Sequence, residues 1–219
     1  SLGIVPGLGG RILIMQSEGG PNLMSLGSPE DTAYPATGGY GESWQGGLHG
    51  PGWSDPFEVS PVEKTDDSWA VEMTHNLADG VKLTRTVMVP KGKGYCEILS
   101  CVSNARQDQQ PGDLRASFGL DLGDVDQVTA ILPAMGAEGV ISLSLTQDEA
   151  KRQLSFTPEQ TAGGVKFVNH AAGKGVEIIP SAPQIERVWV RVDALRDVIT
   201  FELKTKATVA PGEKACLRQ

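Results

Sequence analysis

The chain has 219 residues and a formal net charge of −8 at neutral pH. Nucleic-acid binding needs clustered lysine and arginine, and the basic residues here are scattered, so we expect no nucleic-acid partner. No stretch approaches the roughly 18 apolar residues of a membrane-spanning helix, so we expect no membrane partner. The 27 glycines and 14 prolines interrupt the chain too often for long helices, which favours a single β-rich domain over residues 1–219.

The first segment, PGLGGRILIM at residues 6–15, poses a choice between a phosphate-binding loop and a hairpin. A dinucleotide fingerprint needs a third glycine where Ile12 stands, and no Gly-Lys-Ser/Thr motif follows. We therefore predict a strand at 2–5, a Pro-Gly turn, and a second strand at 11–15.

Residues 16–62 are rich in glycine, proline and aromatic residues and show little strand pattern. We predict a long loop here, and long loops in compact β domains are usually functional. Aromatic faces stack on the C–H faces of sugars, and carboxylates and imidazoles bind hydroxyls, so a mixture of these groups predicts a carbohydrate site. The alternative is that the tryptophans pack beneath the loop. The residues in question are Tyr40, Glu42, Trp44, His49, Trp53 and Asp55.

A three-stranded meander follows at 69–77, 81–89 and 95–104. In the second strand, VKLTRTVMV, alternate positions place Arg85 on the apolar face. TQDEAKRQL at 146–154 alone has helical composition, for at most two turns. Short strands separated by turn signals predict a sandwich or barrel. The later strands are predicted at 139–145, 164–169, 175–180, 187–192, 198–209 and 214–218.

The three cysteines cannot all pair. Cys96 and Cys101 lie five positions apart in one predicted strand, so they point to opposite faces and cannot readily bridge. We interpret the cysteines as buried free thiols, which leaves the cellular compartment open.

Metal and cofactor motifs are weak. Asp121, Asp124 and Asp126 surround Gly123, but the glutamate that completes an EF-hand loop is missing, so we interpret them as a solvated acidic turn. The motifs C-x-x-C, H-E-x-x-H and G-x-S-x-G do not occur. We expect no metal and no cofactor.

Several motifs, taken in chain order, resemble the galactose mutarotase-like group, the β-supersandwich shared by aldose 1-epimerases and sugar-binding relatives. The resemblance spans nearly the whole chain. It implies an all-β fold of two large, mostly antiparallel sheets packed face to face, and a sugar or polysaccharide ligand. The motifs are GGRI (9–12), GG-x-x-E (38–42), Leu48-His49-Gly50, Trp-x-x-Pro-aromatic-x-Val (53–59), DGVKLTRTVMVP (79–90), YCEILSCVSN (95–104) and Val-Ala-Pro-Gly-Glu (209–213).

The resemblance also implies residue roles. In mutarotation a base removes the proton of the anomeric hydroxyl while an acid protonates the ring oxygen. By resemblance, His49 helps to hold the sugar, and Glu202 stands on the strand that carries the base. Arg115 stands where the enzymes have the acid histidine, and a guanidinium binds hydroxyls but is a poor proton donor. For Glu202 the alternative is an exposed strand glutamate without a role. His75 and His170 are interpreted as turn or surface histidines.

Three functional hypotheses follow. The first is sugar binding beneath the 38–58 loop, with contacts from the loop residues Tyr40, Glu42, Trp44, His49 and Trp53 and from Arg85 and Arg115. The second is an active aldose 1-epimerase in which His49 is the acid and Glu202 or Glu42 is the base. The third is a non-catalytic interaction module, including a homodimer, that uses the aromatic loop as a protein interface.

Overall fold

The computed structural model describes residues 1–27, 38–45, 50–145, 151–181, 185–193 and 195–219. These residues form antiparallel strands and two short 3₁₀ helices, Val125–Gln127 and Pro133–Gly139. The strands are β1 (Leu2–Val5), β2 (Arg11–Met15), β3 (Tyr40–Trp44), β4 (Glu58–Val59), β5 (Glu63–Lys64), β6 (Ser68–Ala78), β7 (Val81–Pro90), β8 (Glu97–Asn104), β9 (Gln110–Leu120), β10 (Val128–Ile131), β11 (Val140–Ser142), β12 (Lys151–Phe156), β13 (Val165–Asn169), β14 (Lys174–Ile178), β15 (Ile185–Asp193), β16 (Val198–Val209) and β17 (Lys214–Arg218).

The strands form two large sheets and one small one. The seven-stranded sheet has the order β1-β2-β3-β9-β16-β15-β12, and the six-stranded sheet has the order β17-β8-β7-β6-β4 with β5 also paired to β6. The four-stranded sheet has the order β11-β10-β13-β14. The predicted all-β architecture with two large antiparallel sheets is confirmed, and the meander is β6-β7-β8.

Strand alternation builds one continuous core between the sheets. In β7, Val81, Leu83, Arg85 and Val87 are buried on one face, as predicted from the period of two. In the seven-stranded sheet the ring of Phe201 lies 6.0 Å from that of Phe118, and the small sheet contributes Phe167 at 6.1 Å. The same face packs against the six-stranded sheet too, since Tyr40, which pairs with Phe118, has its ring centre 5.2 Å from the guanidinium carbon of Arg85.

The glycine-rich N-terminal stretch is a hairpin turn, as predicted. Gly9 and Gly10 adopt positive φ values of 66° and 58°, which favour glycine. A Cβ at Gly9 would lie 2.0 Å from the carbonyl oxygen of Trp53, so the close approach of the 50–55 segment also requires a glycine.

Two predictions of secondary structure were wrong. The predicted loop 16–62 contains β3, which is buried at every position. The stretch 146–154 was predicted as helical, but residues 151–156 form β12, an edge strand paired with β15; residues 146–150 lie outside the described residues. Strands β9 and β10 were not predicted at all. None of the helices in the described residues is long and apolar enough to cross a membrane.

The interpretation of all three cysteines as free thiols was also wrong. Cys101 and Cys216 form a disulfide across 115 residues of sequence, because β17 lies directly beside β8 and places their Cα atoms 4.1 Å apart. Cys96 is a free, half-buried thiol, and burial raises its pKa. Comparing cysteines within one strand could not reveal a partner on the C-terminal strand.

Candidate functional site

Glu202 lies in β16, in the interior of the seven-stranded sheet. Phe201 and Leu203 on either side of it point into the core, so Glu202 points to the opposite, polar face. Its cross-strand partners on that face are Trp189 in β15 and Ser117 in β9. Although it lies on the outer face, Glu202 is only 2% exposed.

Only one of the two Glu202 carboxylate oxygens accepts a hydrogen bond from a described residue. Its Oε1 accepts a hydrogen bond of 2.7 Å from Nη1 of Arg191, and Nε of Arg191 donates to Oε1 of Gln153 at 2.9 Å. Its Oε2 is buried and accepts no hydrogen bond from any described residue. Buried acceptors are nearly always paired, so this oxygen is an unsatisfied acceptor that a donor would complete.

The environment of Glu202 shifts its acidity. Burial raises the pKa of Glu202 above its usual value, while the positive charges of Arg191 and Arg115 act in the opposite direction. A carboxylate with a raised pKa suits a general base that works near neutral pH.

Arg115 lies on the same face, held by a network of alternating charges. Its guanidinium carbon is 5.5 Å from the centre of the Trp189 ring, and its Nε donates to Oδ2 of Asp113 at 3.4 Å. Lys204 reaches the same Asp113 carboxylate at 3.8 Å and Glu186 at 3.1 Å. The network positions the guanidinium beside the indole.

The other side of the face is formed by β3 and β2. Ser117 pairs with Glu202 on one side and with Gly41 of β3 on the other, so the three residues share a face. A Cβ at Gly41 would lie 2.9 Å from three guanidinium atoms of Arg11. The space above Gly41 is therefore filled by the Arg11 guanidinium, which is brought onto the face that carries Glu202.

The acidic turn at 121–126 is satisfied by its own backbone. Asp121 accepts from the backbone N–H of Gly123, and Asp124 accepts from that of Asp126. Among the described ranges, no three His, Cys, Asp or Glu side chains are grouped to hold a metal ion.

No protein-family model and no curated protein sequence matches the chain, but solved structures do. The Slr1438 protein of Synechocystis sp. PCC 6803 matches with a TM-score of 0.77 at 16% identity, covering 99% of this chain and 89% of that one. A galactose mutarotase-like protein from Clostridium acetobutylicum matches with a TM-score of 0.77 at 9% identity, covering 99% and 90%. Another from Lactobacillus casei gives 0.68 at 13% identity, covering 99% and 95%. The fold is galactose mutarotase-like. At such identities the likeness concerns the fold alone.

Within this galactose mutarotase-like fold, Glu42 and Arg85 form an ion pair in the core. Oε2 of Glu42 accepts from Nε and Nη2 of Arg85 at 3.1 and 3.0 Å, and both side chains are 0% exposed. Ser100 donates to the other Glu42 oxygen at 2.5 Å. Nη1 of Arg85 donates to the carbonyl oxygens of Gly9 and Gly10. The pair ties β3, β7 and the N-terminal turn together, and no part of it is open to a ligand.

Glu42 and Glu202 lie on opposite faces of the seven-stranded sheet. Glu42 pairs with Ala116 of β9, whereas Glu202 pairs with Ser117, the next residue along the strand. Consecutive residues of a strand face opposite ways, so the two glutamates lie on opposite faces of the sheet. Glu42 therefore does not line the candidate site, in contrast to the role expected from the sequence.

The loop aromatics are buried rather than displayed. The ring centre of Tyr40 lies 4.6 Å from that of Phe118. The Trp44 ring packs directly on Gly112, where an added Cβ would lie 2.3 Å from the Trp44 ring. Trp53 is 7% exposed and covers the Arg11 guanidinium at 4.1 Å. The packing alternative therefore describes Tyr40 and Trp44, which face the core, while Trp53 adjoins the polar face.

The histidines fall into three places. His49 belongs to residues 46–49 and lies outside the described residues. His75 is a packing residue: its Nδ1 lies 3.1 Å from the carbonyl oxygen of Pro56, its Nε2 lies 3.5 Å from Asp55, and its ring contacts Phe57 at 5.4 Å. His170 is exposed at the turn after β13, as predicted.

The sequence interpretation missed four residues of this face: Gln153, Trp189, Arg191 and Arg11. The pattern RVWVRV at 187–192 did indicate two of them, because its alternation places Trp189 and Arg191 on the face opposite the buried valines. Their closeness to Glu202 depends on which strands pair, and that information is not local.

Proposed function

We propose that the protein binds a sugar on the polar face of the seven-stranded sheet, above Ser117 and Glu202. The observation that carries this proposal is the buried Oε2 of Glu202, which has no hydrogen-bond partner among the described residues. A sugar hydroxyl would donate to this oxygen, and the Trp189 indole beside it offers an apolar face for the C–H groups of the ring. Arg115 supplies N–H donors for further hydroxyls. The galactose mutarotase-like fold supports a sugar as the ligand.

A second candidate function, the interconversion of anomers, is favoured by the raised pKa of Glu202. Glu202 would take the proton of the anomeric hydroxyl while the bond between C1 and the ring oxygen breaks, and the ring oxygen would take a proton from an acid. Arg115 stays protonated and is a poor acid, so the proton would come from another group. We propose His49 for that role.

The test combines saturation-transfer NMR with anomeric exchange of freshly dissolved α-glucose and α-galactose. Glu202→Gln should weaken binding roughly 10- to 100-fold, because a hydrogen bond to a charged group contributes about 1.5–3 kcal/mol. The matched control is Glu72→Gln, which removes an exposed carboxylate from β6 of the other large sheet and should bind as wild type does.

The outcomes separate the two functions. Binding without faster anomeric exchange supports a sugar-binding protein. Faster exchange that both Glu202→Gln and His49→Ala abolish supports an epimerase. Equal binding by Glu202→Gln and wild type would refute the site.

A further inference from the structure

Arg11 is a buried arginine whose charge has no acidic partner among the described residues. It is 1% exposed, and no carboxylate of the described residues pairs with it. Nη1 donates to the carbonyl oxygen of Gly38 at 2.6 Å, whereas Nε and Nη2 are buried and make no hydrogen bond to a described residue. Burial, together with the nearby positive charge of Arg85, lowers the pKa of Arg11 to about 10. Burying an unpaired cation is costly, so an anion at this position would be strongly favoured.

The free nitrogens of Arg11 lie on one edge of its guanidinium. The guanidinium plane lies between the Gly41 backbone and the Trp53 ring. Three guanidinium atoms would each lie 2.9 Å from a Cβ added at Gly41, and the guanidinium carbon is 4.1 Å from the centre of the Trp53 ring. The edge formed by Nε and Nη2 carries two parallel N–H groups. This fork matches two oxygens of a carboxylate or a phosphate.

The Arg11 guanidinium lies on the face that carries Glu202, because it fills the space above Gly41. Gly41, Ser117 and Glu202 occupy paired positions on the adjacent strands β3, β9 and β16. Two strand spacings of about 4.8 Å separate the Gly41 and Glu202 backbones by roughly 10 Å. A sugar ring above Ser117 with one exocyclic substituent can bridge that span, with a hydroxyl at Glu202 and the substituent at Arg11.

We propose that Arg11 binds an acidic substituent of the sugar, so that the ligand is an anionic sugar carrying a carboxylate or a phosphate. This inference rests on the proposed function and adds the class of ligand. Gly41 belongs to the same binding site, because any side chain at this position would displace the Arg11 guanidinium.

The test is isothermal titration of matched sugars: glucose and galactose, their uronates, and their 6-phosphates. Wild type should bind at least one acidic form about 10- to 100-fold more tightly than the neutral sugar, as expected for a charge-assisted fork. The uronate and phosphate arms identify which oxyanion fits. Arg11→Met should abolish this preference and keep the affinity for the neutral sugar. The control Arg106→Met removes an exposed arginine from the turn after β8 and should keep the preference.

A second readout does not depend on the stability of Arg11→Met. In wild type the Nε–H resonance of Arg11 should shift when the acidic sugar is added, and Gly41→Ala should reduce that shift while the charge is retained. An unshifted resonance, or an acidic preference that survives Arg11→Met, overturns the inference. Equal affinity of wild type for neutral and acidic sugars overturns it and leaves the proposed function standing, whereas the binding of no sugar at all overturns both.

Discussion

Replacing Glu42 by glutamine should destabilise the fold by about 3–5 kcal/mol, because it leaves the buried cation of Arg85 without its counter-charge. Both side chains are 0% exposed, and the carboxylate accepts two N–H groups from Arg85 and one hydroxyl from Ser100. For a chain of this size 1 kcal/mol corresponds to about 2–4 °C, so the melting temperature should fall by roughly 6–20 °C.

Urea unfolding followed by tryptophan fluorescence measures this loss, with calorimetry for the melting temperature. The matched control is Asp108→Asn, which removes the acid of the exposed Arg106 pair and should leave the unfolding free energy almost unchanged. The double variant Glu42→Gln, Arg85→Met should recover part of the loss, since it also removes the stranded charge. If Glu42→Gln keeps wild-type stability but loses sugar binding, the core assignment fails and the ligand role expected from the sequence returns.

Three further predictions concern single positions. Cys216→Ser should lower stability by about 2–5 kcal/mol in non-reducing urea unfolding, whereas Cys96→Ser should have little effect; equal curves would contradict the disulfide. Because burial raises the folded-state pKa of Glu202, ionisation there opposes folding, so Glu202→Gln should equal or exceed wild-type stability at pH 7 and lose any advantage near pH 4. A loss of stability at pH 7 would contradict that sign. Gly9→Ala should cost at least about 1–2 kcal/mol by thermal unfolding, because φ is positive and Trp53 is close, whereas Gly7→Ala has free space; equal effects would refute the packing of the turn.

The sequence predicted the strands whose two faces differ in polarity. VKLTRTVMV alternates because one face is buried and the other is not, and it forms β7 as expected. YGESW at 40–44 was missed because both of its faces are covered: Glu42 faces the core beside two aromatics, and Gly41 and Ser43 lie on the polar face. The stretch 146–154 has helical composition, but its residues 151–154 belong to β12, and pairing with β15 overrides that local preference.

Two residues of the candidate site were also expected from the sequence. Glu202 and Arg115 were both named from a resemblance; Glu202 stands in a predicted strand, whereas β9, which carries Arg115, was not predicted. Their relation to Trp189 and Arg191 depends on the pairing of β9, β16 and β15, which no local pattern records. Glu42 was expected beside a ligand because acidic and aromatic residues cluster around it, yet a glutamate in the core with a buried arginine produces the same pattern.

The two buried arginines show how structural and ligand-binding charges can be told apart in this fold. Arg85 uses Nε, Nη1 and Nη2, with Glu42 and two carbonyl oxygens as acceptors, so folding alone accounts for it. Among the described residues, Arg11 bonds one carbonyl oxygen and keeps two unpaired nitrogens, and Glu202 bonds one arginine and keeps one unpaired oxygen. Folding does not compensate the burial of these two groups, and strand pairing places both on one face. A ligand hydroxyl would donate to the unpaired oxygen of Glu202, and a ligand oxyanion would accept from the unpaired nitrogens of Arg11. Because both groups lie on the same face, one acidic sugar could satisfy them together, which links the proposed sugar site to an acidic sugar.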